Sequence, residues 1–146
     1  MKDSTITRLY TTDKVYLDFD PAVPCVIAGK FGFVPSDEFR AAMLHSLQLY
    51  KEKTREYPAL GWVANLNQAN VYDPQDTKWM IEHWNPAAIN AGLRYIAFVE
   101  PESDFVKISI ERYTKQSVLR EGLVINKFFD TELAKTWLRS QLFDIQ

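Results

Sequence analysis

The chain has 146 residues, of which 47% are hydrophobic and 25% charged. That is the size and balance of one folded domain, residues 1–146, with enough apolar material for a core that needs no disulfide or metal staple and no compositional sign of a long disordered tail. The 17 basic and 19 acidic residues give a net charge of −2, which argues against general binding to nucleic acid or to an anionic membrane, because both require a basic surface. The unusual quantity is the aromatic content of 14%, made up of 4 Trp, 7 Tyr and 9 Phe.

Thr5 to Thr11 mixes β-branched residues with Leu9 and Tyr10, and Val15, Leu17 and Phe19 alternate with Tyr16 and Asp18. These patterns predict two strands joined through Thr12-Asp13-Lys14 as a hairpin. Two prolines make Asp20-Pro21-Ala22-Val23-Pro24 a turn, and the apolar run Cys25 to Phe33 predicts a third strand. A helix start follows, with Ser36 as cap, Asp37 and Glu38 in the first turn, and Phe39, Met43, Leu47 and Tyr50 on one face. This helix is expected to end before Pro58. Leu60 to Leu66 is almost wholly apolar, the pattern of a central parallel strand covered on both faces.

After a polar loop from Asn67 to Asp73, the pair Asp73-Pro74 opens a second helix, Asp as cap and Pro at the first helical position. Met80, Trp84, Ala87 and Ala91 form its inward stripe, Pro86 predicts a kink or break near Asn85, and Gly92 ends it. Tyr95 to Val99 is a short strand. Ser103 is the next candidate cap, and the segment after it reads two ways. Val106, Ile108 and Ile110 alternate like a strand, whereas Val106, Ile110 and Tyr113 fit a helix, and length together with Glu111-Arg112 favours the helix. Leu123 to Phe129 gives a last strand, and Thr131-Glu132-Leu133 starts a last helix with Leu133, Trp137 and Leu138 inward. The order β-β-β-α-β-α-β-α-β-α implies an α/β domain, a mixed sheet covered by helices with right-handed crossovers between its parallel strands.

Chemical templates are not met. The one cysteine, Cys25, lies in an apolar run and reads as a buried, inert thiol. His45 and His83 fall on separate helices without ligand-spaced partners, so no metal site and no cofactor is expected. Gly29-Lys30-Phe31-Gly32 matches neither phosphate-binding fingerprint, no Gly-x-Ser-x-Gly elbow occurs, and helix capping accounts for Ser36 and Ser103. The polar N-terminus carries no signal-peptide pattern, and no segment approaches the roughly 20 apolar residues of a membrane span, so a cytoplasmic protein without membrane insertion is expected. Trp79 and Trp84 stand five residues apart, roughly 140° around a helix, so with Trp84 inward Trp79 points elsewhere. It either covers the edge of the loop or contributes to an apolar patch for a partner or ligand.

The run Trp84-Asn85-Pro86-Ala87-Ala88-Ile89-Asn90-Ala91-Gly92-Leu93-Arg94 and the closing segment Phe129 to Leu138 resemble small bacterial proteins with the SpoIIAA-like, or STAS-like, fold, a resemblance that extends from Leu9 to Leu142. It implies a non-enzymatic regulatory or protein-interaction module. In the anti-sigma factor antagonists of this fold an Asp ends a central strand, and a phosphorylatable Ser starts the following helix where a kinase docks. Asn65 and Asp73 stand at the matching positions here, and no Ser or Thr stands at the cap. Asp73 then serves as a plain N-cap or as a fixed negative charge.

The candidate interaction surface is therefore Asn65, Asn67, Gln68, Tyr72, Asp73, Gln75 and Trp79, at the carboxyl end of a central strand where open α/β sheets place ligands. A protein partner is the first expectation and a homodimer is compatible with it. A small apolar ligand or lipid, held by aromatics around the kinked helix, is the alternative. Exchanging both Tyr72 and Trp79 for Ala is expected to weaken capture of the native partner in a pull-down, and unchanged capture by a folded double variant sinks this placement.

Overall fold

The computed structural model describes residues 5–69, 73–101 and 104–143. Six strands form a sheet in the order β1-β2-β3-β4-β5-β6. The first three, β1 (Thr7–Thr11), β2 (Val15–Asp20) and β3 (Cys25–Lys30), make an antiparallel meander. Its first turn is held by the Thr12 hydroxyl, which accepts from the backbone N–H groups of Lys14 and Val15 at 3.2 and 3.1 Å. From β3 onward the neighbours β4 (Gly61–Asn65), β5 (Tyr95–Val99) and β6 (Val124–Phe128) are parallel. The expected third strand stops at Lys30 rather than Phe33. Gly32 takes φ +64°, and the chain leaves the ladder to pair with the turn after β4 through a bridge to Ala69.

The strands add in one direction, and crossovers between parallel strands take one hand almost without exception. All the connecting helices must then lie on the same face. These are α1 (Ser36–Thr54), the pair α2 (Pro74–Trp79) and α3 (Asn85–Asn90), and α4 (Asp104–Glu121). Under them lies the larger core, in which Leu17, Phe19, Val26, Trp62, Ile96 and Phe98 of the sheet meet Tyr50, Trp84, Val106, Ile110 and Tyr113. The helical reading of 104–121 holds, and Ile108, which only the strand reading would bury, is exposed. Between α2 and α3 the backbone widens into a π turn over Met80–Trp84, where the Asn85 N–H reaches back to the Met80 carbonyl. Pro86 has no N–H to give an ordinary helical bond, so the expected break takes this form. Gly92, at φ +113°, ends α3 as expected.

Among the described residues, the helix that covers the opposite face is α5 (Thr131–Phe143). Ala134, Leu138 and Leu142 pack on Cys25, Ile27, Val63, Ala97 and Val99. Lys135 fixes the helix's rotation, since its ammonium bonds Asp20 Oδ2 at 2.9 Å with both side chains buried. Burial weighs against the Lys135 charge, but the hydrogen bond and charge of Asp20 outweigh it and the net shift is upward. That rotation corrects one expectation, because Leu133 is 49% exposed rather than inward. Cys25 is buried, and burial, reinforced by the Asp20 charge, pushes its thiol well above the ordinary range.

Two further expectations concern helix caps. Pro35, not Ser36, holds the N-cap position of α1 and makes no side-chain cap bond. The other, Ser103, lies outside the described residues. Leu138→Ala, which empties a site with no exposed surface, is expected to cost about 2–5 kcal/mol. Leu133→Ala is expected to stay within about 0.5 kcal/mol, and urea unfolding of the two variants checks both.

Candidate ligand cavity

One row of paired residues crosses the middle of the sheet on its helical face: Leu17 beside Ala28, Ala28 beside Ala64, and Ala64 beside Phe98. The outer members are large and the inner two are alanines. The helices span from one large side chain to the other and do not descend onto the small ones. A cavity of about 100 Å³ remains, roofed by Phe39 and Met43 of α1, Met80 and Trp84 of the π turn, and Ile110 and Tyr113 of α4.

The roof is held at its height by polar anchors. Trp84 Nε1 donates to the Met43 carbonyl at 3.0 Å, tying the π turn to α1. The buried Asn85 donates through Nδ2 to Ser117 Oγ at 2.8 Å and accepts from the Tyr113 hydroxyl at 2.6 Å, tying it to α4. Adjacent residues of a helix point in different directions, so Trp84 and Asn85 bind two different neighbours. This explains the Trp-Asn-Pro run in structural terms.

Lys30, at the end of β3, is the one charged residue in the described cavity wall. Its side chain is buried, and its ammonium lies 5.3 Å from the centroid of the Phe39 ring, itself part of the wall. Burial pushes Lys30 down from 10.5 to about 8, with the charge of Asp76 opposing part of the shift. Asp76, only 2% exposed on α2, accepts from Arg40 Nε at 3.0 Å and from Ser36 Oγ at 2.9 Å. The Ser36 hydroxyl is thus spent on Asp76 rather than on capping its own helix, and Arg40 lies over the Trp79 ring at 5.5 Å.

The residues expected to form one interaction surface fall into two groups. Asp73 is exposed and caps α2 through the Gln75 N–H at 2.9 Å, Gln75 is exposed beside it, and Trp79 is half-buried beneath Arg40. Gln68 is exposed on the turn after β4, and its carbonyl accepts from the Gly32 N–H at 2.9 Å. Asn65 belongs to the other face of the sheet, since successive strand residues alternate and Ala64 lines the cavity. Its Nδ2 donates to the Tyr16 hydroxyl at 2.9 Å, and its Oδ1 accepts from the half-buried Asn67. Tyr72 lies outside the described residues. Both histidines sit exposed on helices, His45 against Tyr10 and His83 against Trp79. Among the described residues no group of three His, Cys, Asp or Glu stands close enough to hold a metal ion, and no helix is long and apolar enough to cross a membrane.

Lys30, Arg40 and Asp76 were not singled out by sequence patterns. The available signals were a lysine closing an apolar strand and an aspartate one turn inside a helix, both common on protein surfaces. The pKa of Lys30 gives a direct check. Folded chains lose its proton near pH 8 and unfolded chains near 10.5. Between these values the unfolded state binds more protons, so stability rises with pH across the window, and the gain is complete above it. Denaturant titrations are expected to show this rise in the wild type relative to Lys30→Met, and equal profiles for the two proteins contradict the buried ammonium.

No protein-family model matches the chain, and no curated protein is significantly similar to it.

Proposed function

We propose that this protein is a non-enzymatic binding domain of STAS-like fold that takes a small, largely apolar molecule into the cavity above Ala28 and Ala64. The observation that carries this reading is the cavity itself. Protein interiors are close-packed, with few voids larger than a water molecule. An unfilled, partly open space of about 100 Å³ leaves the apolar groups around it without packing partners on that side. Valine or leucine at either alanine would supply many of those partners, so the space reads as a feature kept for an occupant. Its wall is almost wholly apolar, as ligand sites are.

Volume also limits the occupant. Pockets for drug-sized ligands measure roughly 300–1,000 Å³, and an apolar cavity of about 150 Å³ admits benzene. About four to six non-hydrogen atoms therefore fit, which favours a small molecule over a lipid acyl chain. The π turn in the roof supports the reading further, because such turns occur frequently at functional sites.

A second reading, the protein-interaction module, draws support from the rim. Phe31 and Phe33 are 47% and 49% exposed on a loop tied to the turn after β4 by the Gly32–Ala69 bridge.

Native mass spectrometry of freshly purified protein is expected to show a reproducible extra small mass. Ala64→Leu fills the cavity, and it should abolish that mass while leaving the melting temperature unchanged or higher. Ala28→Val is the milder variant if leucine overpacks the site. A wild type that carries no small mass and shows no shift with 1-butanol counts against the cavity reading.

A further inference from the structure

Several hydroxyl groups on the helices turn back on their own backbone. Ser46 donates to the Met43 carbonyl at 2.6 Å, Thr54 to that of Lys51 at 2.7 Å, Thr136 to that of Glu132 at 2.9 Å and Ser140 to that of Trp137 at 2.8 Å. Thr77 of α2 does not. The carbonyl a helical threonine would reach, here that of Asp73, already accepts from the Asp76 and Thr77 N–H groups at 2.9 and 3.4 Å. Thr77 is only 9% exposed and lines the cavity, and among the described residues its hydroxyl has no hydrogen-bond partner. Thr114 of α4 also carries a buried hydroxyl without a partner, but it is not part of the cavity wall. Thr77 further lines a surface cleft between α2 and α4 with Ile81 and Arg112, so it stands between that cleft and the cavity.

We propose that the Thr77 hydroxyl is the polar contact of the bound molecule, and that this molecule is a short neutral alcohol of about the size of butanol. This rests on the cavity reading and names the chemical class of its ligand. The chain of the alcohol lies over Ala28 and Ala64, where the wall is hydrocarbon and aromatic ring, and its oxygen meets Thr77. Ligand sites commonly pair an apolar wall with a few polar groups that fix orientation. A hydroxyl both donates and accepts, so the alcohol and Thr77 satisfy each other whichever way the proton points. A hydrocarbon of the same length would leave the threonine unmet, at the cost of a desolvated polar group. A charged molecule would have to shed its water on entering a largely apolar space, and that costs far more than burying one hydroxyl. The Lys30 ammonium has Asp76 and the Phe39 ring beside it and is not needed for an alcohol to bind.

The test is calorimetric or NMR titration of the full chain with 1-butanol, 1-chlorobutane and butyrate, the chloride having the shape of the alcohol with chlorine in place of the hydroxyl. Thr77→Val and Thr77→Ala are expected to weaken 1-butanol binding roughly 3- to 10-fold and to leave 1-chlorobutane binding unchanged or tighter, which also reports that they are folded. Thr77→Ser should keep the wild-type affinity for 1-butanol, and Thr114→Val should change the binding of neither probe. An equal change for both probes in the Thr77→Val and Thr77→Ala variants, the same loss in Thr114→Val, or tighter binding of butyrate than of 1-butanol by the wild type overturns the alcohol assignment and leaves the cavity reading standing. Loss of the fold in both Thr77→Val and Thr77→Ala also overturns it, because the hydroxyl then has a structural role. Failure of all three probes to bind the wild type, or binding that Ala64→Leu leaves intact, overturns the cavity reading and this assignment together.

Discussion

The structure depends on the handedness of its crossovers. A parallel strand pair joined through a helix is right-handed almost without exception, and here every new strand is added on the same side of the last. Those two conditions put α1, α2, α3 and α4 on one face. The other face is left to whatever follows the last strand, and α5 is that element. It has no crossover geometry to set its rotation, so specific contacts must do it. The Lys135–Asp20 pair does this from the β2 end, and Tyr95 and Phe128 do it from the other side through Trp137. A buried pair of this kind contributes specificity more than net stability, which suits a helix that must be aimed rather than merely held.

One-sided placement also makes the helical layer bridge a wide sheet. Its central segment cannot be a plain helix, because the residues that tie it to α1 and to α4 are neighbours in sequence. Trp84 serves one side and Asn85 the other, and the π turn ending at Trp84 supplies the extra width before the chain resumes as α3, with Pro86 offering no N–H for an ordinary helical bond back into the turn. The layer is thereby suspended between α1 and α4. Beneath it the sheet presents Ala28 and Ala64 side by side, so the cavity follows from a roof fixed at both edges over a floor that is low in the middle.

Much of this architecture was legible in the chain. Phe39, Met43, Leu47 and Tyr50 marked the inward face of α1, Asp73-Pro74 opened α2, and Gly92 closed α3. Local patterns decide such features, and local patterns are what a sequence displays. The site was not legible, because it depends on register and on distant pairs. Nothing in either segment states that Ala28 lies opposite Ala64, or that Lys30, Arg40 and Asp76 converge from β3, α1 and α2. Ser36 looked like a cap because caps are local, yet its hydroxyl is taken by a residue 40 positions away. Asn65 looked contiguous with Asp73 in sequence, yet the strand's alternation turns it to the opposite face. Leu133 fitted an amphipathic pattern whose rotation is set by an ion pair that the pattern does not contain.

The aromatic excess now has a physical place. Tyr50, Trp62 and Trp84 form a chain of ring contacts with centroid separations of 6.0 and 5.0 Å, and Phe98 meets Tyr113 edge-on at 5.8 Å. Large rigid rings fill volume with few rotatable bonds, so they are effective walls. Around Ala28 and Ala64 they behave as a frame, with Phe39, Trp62, Trp84, Phe98 and Tyr113 all reaching the cavity edge and none closing it. A core with this much aromatic material does not lack the means to fill 100 Å³. The rings hold the space open because they are too stiff to collapse into it, and a space framed in this way selects what enters it by shape.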